Sequence, residues 1–352
     1  MEVWFDNIIF SLQKAGGISN VWQNLLANVG PYVECCRFLE YKNSSDNIFR
    51  RELDIDPGHI RVQNFFNPVL SQFQRCGAGS DRPFVFHSSY FRLCSNPQAR
   101  IVTTVHDFIY EQNPRPSLKQ RLRMKLNYLA IQRSHAIVCV SEHTRRDLLR
   151  YLPETDPRKV HVIHNGVSED YHPLDAIPYQ QYRNTVLFVG GRQYYKNFDF
   201  VVKALGSTEF NLLVCGAPLS GSETAMLDEY LPGRYSVVPY PSNAELNRIL
   251  NSVHALVYPS SYEGFGLPIL EAQRAGCPVV ALDASSVPEI IGSQALLMPS
   301  LTPESLVELL YKLKDSDLRR RIVRAGIENV RRFSWQKMAC AYVGLYRTLL
   351  NN

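Results

Sequence analysis

Short runs of branched and aromatic apolar residues recur along this chain with amphipathic stretches between them, and the rhythm runs twice. In its first course Val33–Leu39, Pro83–Phe86, Ile101–Val105, Ala136–Val140 and Val160–Ile163 read as strands. Helical periodicity over Ile18–Asn28, Ser117–Arg133 and Glu142–Tyr151 separates some of them. Strands that alternate with helices need crossover connections, which produce a parallel sheet covered by helices on both faces. The stretch Asp170–Asn184 then carries two prolines and no clean periodicity, so it reads as a linker. The rhythm restarts with strands at Thr185–Val189, Asn211–Cys215, Ser236–Val238, Ala255–Tyr258 and Pro278–Leu282. Helices at Asn197–Leu205, Asn243–Asn251 and Leu267–Ala275 lie between them, and Pro303–Leu313, Asp317–Phe333 and Trp335–Leu350 close the chain. The fold class is therefore α/β, with two doubly wound domains: 1–170, a linker at 171–184, and 185–334. A length of 352 residues suits two domains of ordinary size.

Composition removes several function classes. The chain is 45% hydrophobic and 20% charged, as in soluble globular proteins. A net charge of +5 is too modest to imply a nucleic-acid partner. No apolar run approaches the roughly 18–20 residues that span a bilayer, and residues 1–10 carry Glu2 and Asp6 in place of a basic secretory start. The eight cysteines are scattered with no C-x-x-C, which reads as reduced thiol in the cytoplasm and not as a disulfide framework or zinc site. No H-E-x-x-H and no G-x-x-x-x-G-K-[ST] occurs, and no G-x-G-x-x-G follows the first strand.

The chemistry concentrates in Tyr262–Glu271, YEGFGLPILE. Gly264 and Gly266 allow a sharp turn that exposes backbone N–H groups at the start of a helix, where the dipole favours an anion such as phosphate. Glu263 precedes the turn and Glu271 follows about two helical turns later. Carboxylates beside a phosphate site need hydrogen-bond donors, and sugar hydroxyls supply them. One ligand with both features is a nucleotide sugar; a helix cap and a surface charge are the plainer alternative. The upstream strand Ala255–Tyr258 favours the first reading, because ligands of open α/β sheets bind beyond the carboxyl ends of strands.

Other candidates lie at strand ends. Gly16 and Gly17 follow the first strand and open a helix. His106, in Val105-His106-Asp107, ends a strand and offers a hydrogen bond to a sugar hydroxyl. Gly190 ends the first strand of the second half, and Arg192 and Lys196 beyond it are able to converge on a diphosphate, arginine as a fork and lysine as a point charge. Each also has an ordinary structural reading. Asp54 and Asp56 form a D-x-D with no strand leading into it, so a metal-binding role is unsupported. Between Arg115 and Arg150 nine basic side chains face two acidic ones, with Leu118, Leu122, Leu126 and Leu129 at helical spacing. This is either a solvated helix whose leucines face the core or an interfacial helix resting on anionic lipid.

Taken together, these residues resemble family 4 of the retaining glycosyltransferases. The likeness rests on Phe188–Arg192 (FVGGR), Tyr195-Lys196-Asn197, Pro259–Glu271 with its E-x7-E, and Ser286–Glu289 (SVPE) in the second half. Gly16-Gly17, Thr104–Asp107, Ser141-Glu142 and His164–Val167 carry it more loosely in the first. The resemblance implies the GT-B fold, two Rossmann-like domains facing a central cleft, with the helix at about 335–352 packing back on the first domain. It implies a donor held by Gly16, Gly17, Gly190, Arg192, Lys196, Glu263, Gly264, Phe265, Gly266, Leu267 and Glu271. Arg192 and Lys196 would hold the diphosphate, Glu263 the transferred sugar, Glu271 the ribose, and His106 the sugar from the first domain. The catalytic set is His106, Glu263, Arg192 and Lys196, with no metal and no other cofactor.

The form YEGFGLP at Tyr262–Pro268 is similar to bacterial mannosyltransferases of surface-polysaccharide and lipopolysaccharide pathways, which points to GDP-mannose and leaves other nucleotide sugars open. The sequence departs from the family pattern at Gln193-Tyr194-Tyr195, where small or charged residues usually precede Lys-Asn, and this leaves the donor less determined. A saccharide or lipid-linked saccharide is the expected acceptor, at the inner face of the cytoplasmic membrane, with the basic helix at 117–133 as the contact to anionic lipid. Two other readings stand beside this one: a nucleotide-sugar epimerase on the same fold, and a non-catalytic protein that binds sugar nucleotides or a membrane surface.

Overall fold

A computed structural model of the chain describes residues 1–63, 76–293 and 295–351. They form two compact units, one made of 1–166 with 333–352, the other of 167–332. Each is an α/β layer structure built on a parallel sheet.

In the first unit seven described strands run β1 (Glu2–Asp6), β2 (Cys35–Tyr41), β3 (Ile60–Gln63), β4 (Phe84–Ser88), β5 (Ala99–Val105), β6 (Ala136–Cys139) and β7 (Val160–Val162). Their spatial order is β3-β2-β1-β4-β5-β6-β7, and every pairing is parallel. The order reverses between β1 and β4, a switch point of the kind that opens a ligand crevice at the strand carboxyl ends. All five residues of β4 are buried, as expected of a central strand covered on both faces. The main helices are α1 (Gly17–Val29), α2 (Leu118–Gln132) and α3 (Glu142–Tyr151). Ser117 and Gln120 form a capping box that starts α2. Strand β2 sits two residues later than its hydrophobic run indicates, because pairing with β1 aligns Glu2 with Cys35 and draws Glu40 and Tyr41 into the ladder.

The last helix of the chain belongs to this unit. Its Tyr342 and Tyr346 are one turn apart and both buried. The Tyr346 hydroxyl bonds His87 Nδ1 at 2.6 Å, His87 Nε2 bonds Thr104 Oγ1 at 2.9 Å, and Thr104 bonds the Tyr342 hydroxyl at 2.9 Å. Burial lowers the pKa of His87 to about 3, so the ring is neutral and gives one donor and one acceptor. At the start of this helix Gly166 leaves no room for a side chain: a Cβ there would stand 2.2 Å from the Trp335 nitrogen.

The second unit has β8 (Thr185–Val189), β9 (Asn211–Gly216), β10 (Tyr235–Pro239), β11 (Ala255–Tyr258), β12 (Val279–Leu282) and β13 (Leu296–Met298), ordered β10-β9-β8-β11-β12-β13. Its switch point falls between β8 and β11, which pair directly through Val186 and Ala255. Its longer helices are α4 (Phe198–Gly206), α5 (Gly221–Tyr230), α6 (Asn243–Leu250), α7 (Leu267–Arg274), α8 (Pro303–Lys312) and α9 (Ser316–Val330). The core joins Phe188, Val201, Phe210, Leu212, Leu306 and Leu310, all buried; each such side chain stabilises the unit by roughly 1.5–3 kcal/mol. Helix α5 escapes periodicity because Leu227 is its one buried residue. Its sequence signal is instead the capping box of Ser220 and Glu223.

The stretch expected as a linker is bound along the second unit. Asn243, Asn247 and Asn251 recur every four residues on one helix face. The Tyr171 hydroxyl donates to Asn243, and the His172 and Leu174 amides donate to Asn247 and Asn251 at 3.1 and 2.8 Å. The Tyr179 amide adds a bond to Ser252 at 3.1 Å. The motif Asp54-Ile-Asp56 is likewise structural at its second carboxylate, which accepts from the Gly58 amide at 2.8 Å.

Candidate functional site

In the second unit the candidate residues come from the segments that follow the neighbouring strands β8 and β11. Asn197 joins those segments. Its backbone is left-handed, φ 53°, a conformation asparagine tolerates better than most residues. Its side-chain amide donates to the Pro259 carbonyl at 2.8 Å and to Ser261 Oγ at 2.6 Å, while the Ser261 amide donates to the Tyr195 carbonyl at 2.8 Å. That clamp sets Lys196 against Glu263. The Lys196 ammonium donates to the Glu263 carboxylate, and lies 5.4 Å from the ring centres of both Tyr195 and Tyr258, where cation–π attraction adds to the pairing. Both side chains are largely buried, at 16% and 13% exposure.

The turn after Glu263 is held from a third strand end. Ser285, itself left-handed at φ 59°, accepts from the Glu263 amide at 2.8 Å and donates to the Glu263 carbonyl. Ser286 donates to the carbonyls of Glu263 and Phe265 at 2.9 Å each. The backbone then passes Gly266, φ 109°, into α7, a helix that no side chain caps. A helix N-terminus without a side-chain cap is a natural anion site.

Glu271, in α7, is half-buried, and desolvation raises its pKa to about 7. Tyr258 lies near both carboxylates: burial first, then the fields of Glu263 and Glu271, push its hydroxyl well above the ordinary range. Glu263 and Glu271 thus share one neighbourhood, with Glu263 neutralised by a cation and Glu271 in a poorly solvated setting that favours hydroxyl donors.

Arg192 is placed differently from Lys196. Its Nε donates to Glu223 at 2.6 Å, and its terminal nitrogens donate to the carbonyls of Ala217 and Pro218 at 3.0 and 2.7 Å. The Arg192 hydrogen bond holds the Glu223 carboxyl below its usual range. Three of the five guanidinium N–H groups are therefore committed, one to Glu223 in α5 and two to the loop after β9, and two are left for a ligand. Gly190, at φ 106°, has space around it: a Cβ would meet nothing within 4 Å.

In the first unit Gly16 caps α1 with extended backbone and no side-chain hydrogen bond. A Cβ on Gly17 would meet no neighbour within 4 Å, so packing does not demand glycine there. His106 follows β5, half-buried, and desolvation lowers its pKa to about 4; it is neutral at ordinary pH. Ile18, next to Gly17, lines the same cavity as His106. The residues that sequence motifs alone left without a role are Asn197, Ser285, Ser286 and Glu223. Each acts by hydrogen-bonding a segment distant in sequence, and only Asn197 and Ser286 lie inside a recognisable motif.

Comparison with known proteins gives this geometry a family. Residues 176–329 match the model for glycosyl transferases group 1, and residues 79–171 match that for glycosyltransferase family 4. The O-antigen chain mannosyltransferase B of Escherichia coli is 26% identical over 76% of this chain and 75% of its own. The O-antigen chain mannosyltransferase RfbU of Salmonella typhimurium is 29% identical over 55% of each, so that alignment spans about half of the relative. Among solved structures, sucrose-phosphate synthase from Thermosynechococcus elongatus superposes with a TM-score of 0.77 at 17% identity, over the full length of both chains. With matches to two glycosyltransferase models that together span most of the sequence, and two Rossmann-like sheets in one chain, this protein is an enzyme of glycosyl transfer of the family 4, GT-B type.

Proposed function

We propose that this enzyme is a retaining, metal-independent hexosyltransferase that moves mannose from GDP-mannose to a saccharide or lipid-linked saccharide in surface-polysaccharide synthesis. The observation that carries the reading is the pairing of Lys196 with Glu263 beside an uncapped helix N-terminus, on segments following the two strands at the switch point. The names of the two O-antigen relatives favour mannose.

Cleavage of the sugar–phosphate bond leaves negative charge on the diphosphate. Lys196, the two remaining N–H groups of Arg192 and the backbone from Gly264 to Leu267 stabilise that charge by preorganised donors, the task a metal performs in other enzymes. Transfer of the Lys196 ammonium from Glu263 to phosphate releases the Glu263 carboxylate to accept from sugar hydroxyls and to face the developing cationic carbon. Glu271 accepts from the ribose hydroxyls. In the first unit Gly16 and Gly17 serve phosphate, and neutral His106 serves a sugar hydroxyl. Retention follows from a front-face displacement in which the leaving phosphate oxygen takes the acceptor's proton.

The membrane contact is a second part of the proposal. On α2, Leu118 is 85% exposed and Leu122 54% exposed, beside Lys119, Arg121 and Lys125. These leucines do not face the core, and each basic residue at an anionic surface contributes about 1 kcal/mol. No helix among the described residues is long and apolar enough to cross a membrane, so the contact we propose is peripheral, at the cytoplasmic face.

The test is a calorimetric and thermal-shift panel of nucleoside diphosphates and their sugars in EDTA. Selective stabilisation by GDP and GDP-mannose supports the donor; preference for UDP redirects it to UDP-sugars. Absence of binding to every member would sink the site assignment. Co-sedimentation with vesicles containing phosphatidylglycerol, compared with phosphatidylcholine alone, tests the surface: Leu118→Ser with Leu122→Ser should abolish it.

A further inference from the structure

Tyr258 closes β11 and pairs with Ala281 of β12. Side chains along a strand alternate between the two faces of the sheet. Ala255 and Val257 enter the core that holds Phe188 and Phe198. Tyr258 therefore points to the opposite face, beneath the glycine turn that starts α7. Its Cε1 atom would lie 3.8 Å from a Cβ on Gly266, with Ile269 Cδ1 at 3.2 Å. The ring is the floor of that turn, and the residue is only 3% exposed.

A buried phenol needs a hydrogen-bond partner. Here the partner is the Glu263 carboxylate, to which the Tyr258 hydroxyl donates. The Lys196 ammonium lies over the same ring, 5.4 Å from its centre. Tyr258 thus meets both members of the Lys196–Glu263 pair, one through its ring face and the other through its hydroxyl.

Donor binding must break that pair. When the ammonium turns to the diphosphate, Glu263 keeps its charge at 13% exposure, with little water to take the place of the cation. Ser285 and Ser286 fix the Glu263 backbone but bond only its amide and carbonyl. The carboxylate needs a donor of its own, and the Tyr258 hydroxyl is already on it. A hydroxyl on an ionised carboxylate makes a charge-assisted bond, stronger than a neutral one. Burial, and then the field of Glu263, hold the phenol well above its ordinary range, so it keeps its proton and stays a donor. Phenylalanine would fill the same floor and offer the same ring face; the hydroxyl alone serves Glu263.

We propose that Tyr258 is a positioning residue whose hydroxyl holds the Glu263 carboxylate in place while Lys196 passes from that carboxylate to the diphosphate; the assignment rests on the donor-site reading above. Tyr258 itself touches neither phosphate nor sugar. Its hydroxyl makes the ion pair separable, so that the cation reaches the nucleotide without stranding the carboxylate.

Calorimetric titration of the full chain with GDP and with UDP tests this in four forms: the parent, Tyr258→Phe, Glu263→Gln and the double variant. For the nucleotide that binds the parent, Tyr258→Phe should lose about tenfold or more in affinity, the worth of one hydrogen bond to a charged group. In the Glu263→Gln background the same substitution should cost less than about threefold, because the charge it serves is gone. Equal losses in the two backgrounds, or a Tyr258→Phe affinity within about twofold of the parent, overturn the assignment; a residue that only packs would give the second result. Should the phenylalanine variant fail to fold, 3-fluorotyrosine placed at position 258 alone gives another readout. Its fluorine resonance should move when the nucleotide saturates the site, and a resonance that stays in place overturns the proposal. A parent that binds neither nucleotide defeats the donor-site reading and the role of Tyr258 with it. A parent that binds, beside a Tyr258→Phe variant that binds equally, removes Tyr258 alone.

Discussion

Lys196 donates its ammonium to the carboxylate of Glu263, sixty-seven positions later in the sequence, with the Tyr195 and Tyr258 ring centres each 5.4 Å from the charge. Neither side chain is well solvated, so each is the other's main electrostatic partner. Removing one leaves a buried charge unbalanced. Lys196→Ala should lower kcat by about 10²–10³, the usual cost of losing one preorganised transition-state donor. Glu263→Gln, which keeps the shape but leaves the Lys196 ammonium without its counter-charge, should lose turnover and lower Tm while the fold is retained. Near-normal kcat in either variant defeats the assignment.

Glu271 gives a pH dependence with a definite sign. Its carboxyl rises from about 4.5 when unfolded to about 7 when folded, so between those values the folded state binds more protons and stability falls as pH rises. The penalty saturates above pH 7, on the order of 1–3 kcal/mol. Glu271→Gln should therefore melt higher than the parent at pH 8 and nearly alike at pH 4. Ribose hydroxyls donate more strongly to the ionised form, so nucleotide affinity should rise from pH 5.5 to 7.5 with proton release. Calorimetry in two buffers of different ionisation enthalpy reads that release; a flat profile in the parent enzyme would remove Glu271 from the ribose.

Arg192 and Glu223 make a test of position against charge. Glu223→Gln frees a guanidinium that its neighbour orients, while Arg192→Ala removes the donor itself. Donor KM should rise in both, with the larger loss of kcat in Arg192→Ala. Equal effects of the two substitutions on kcat would show that Arg192 acts only by holding the loop after β9.

Two glycines in the first unit should respond in opposite directions to alanine. Gly166 faces the Trp335 nitrogen at 2.2 Å and the Ser334 carbonyl carbon at 2.5 Å from a Cβ, both backbone atoms with nowhere to move. Gly166→Ala should destabilise by about 1–3 kcal/mol or more. Gly344, exposed in the last helix with nothing within 4 Å, should gain about 0.5–1 kcal/mol as alanine. Chemical denaturation of the pair checks both signs at once.

The buried chain Tyr346–His87–Thr104–Tyr342 predicts a polar cost separate from packing. Tyr346→Phe keeps the ring and strips the hydroxyl, leaving a His87 nitrogen unsatisfied, so stability should fall by about 1–3 kcal/mol. A phenylalanine variant that melts like the parent would mean water replaces the hydroxyl.

Much of the architecture is written locally. Strand β8 at Thr185–Val189, β11 at Ala255–Tyr258 and helix α3 at Glu142–Tyr151 fall where hydrophobic periodicity and capping residues alone would set them, because their signals lie within a few positions. The glycine turn ahead of α7 is legible for the same reason: Gly264 and Gly266 are adjacent to the helix they start. Short or weakly amphipathic elements such as β13 and α5 are not, since three residues, or one buried leucine, make no period.

Contacts at long range are decided only in three dimensions. The sequence places Arg192 and Lys196 side by side in one motif, but the folded chain sends Arg192 to Glu223 and Lys196 to Glu263. It leaves open whether the leucines of α2 face core or solvent; packing of Ala130 and Ile131 inward turns Leu118 and Leu122 out. It shows Asn197 and Ser286 as motif letters, and gives no sign that one ties β8's loop to β11's and the other holds the turn at Glu263. Local propensity acts through neighbours along the backbone and can be read in order. A side chain's charge partner depends on which strand ends the sheet brings together, and that is settled by the strand order β8-β11 that burial of both sheet faces selects.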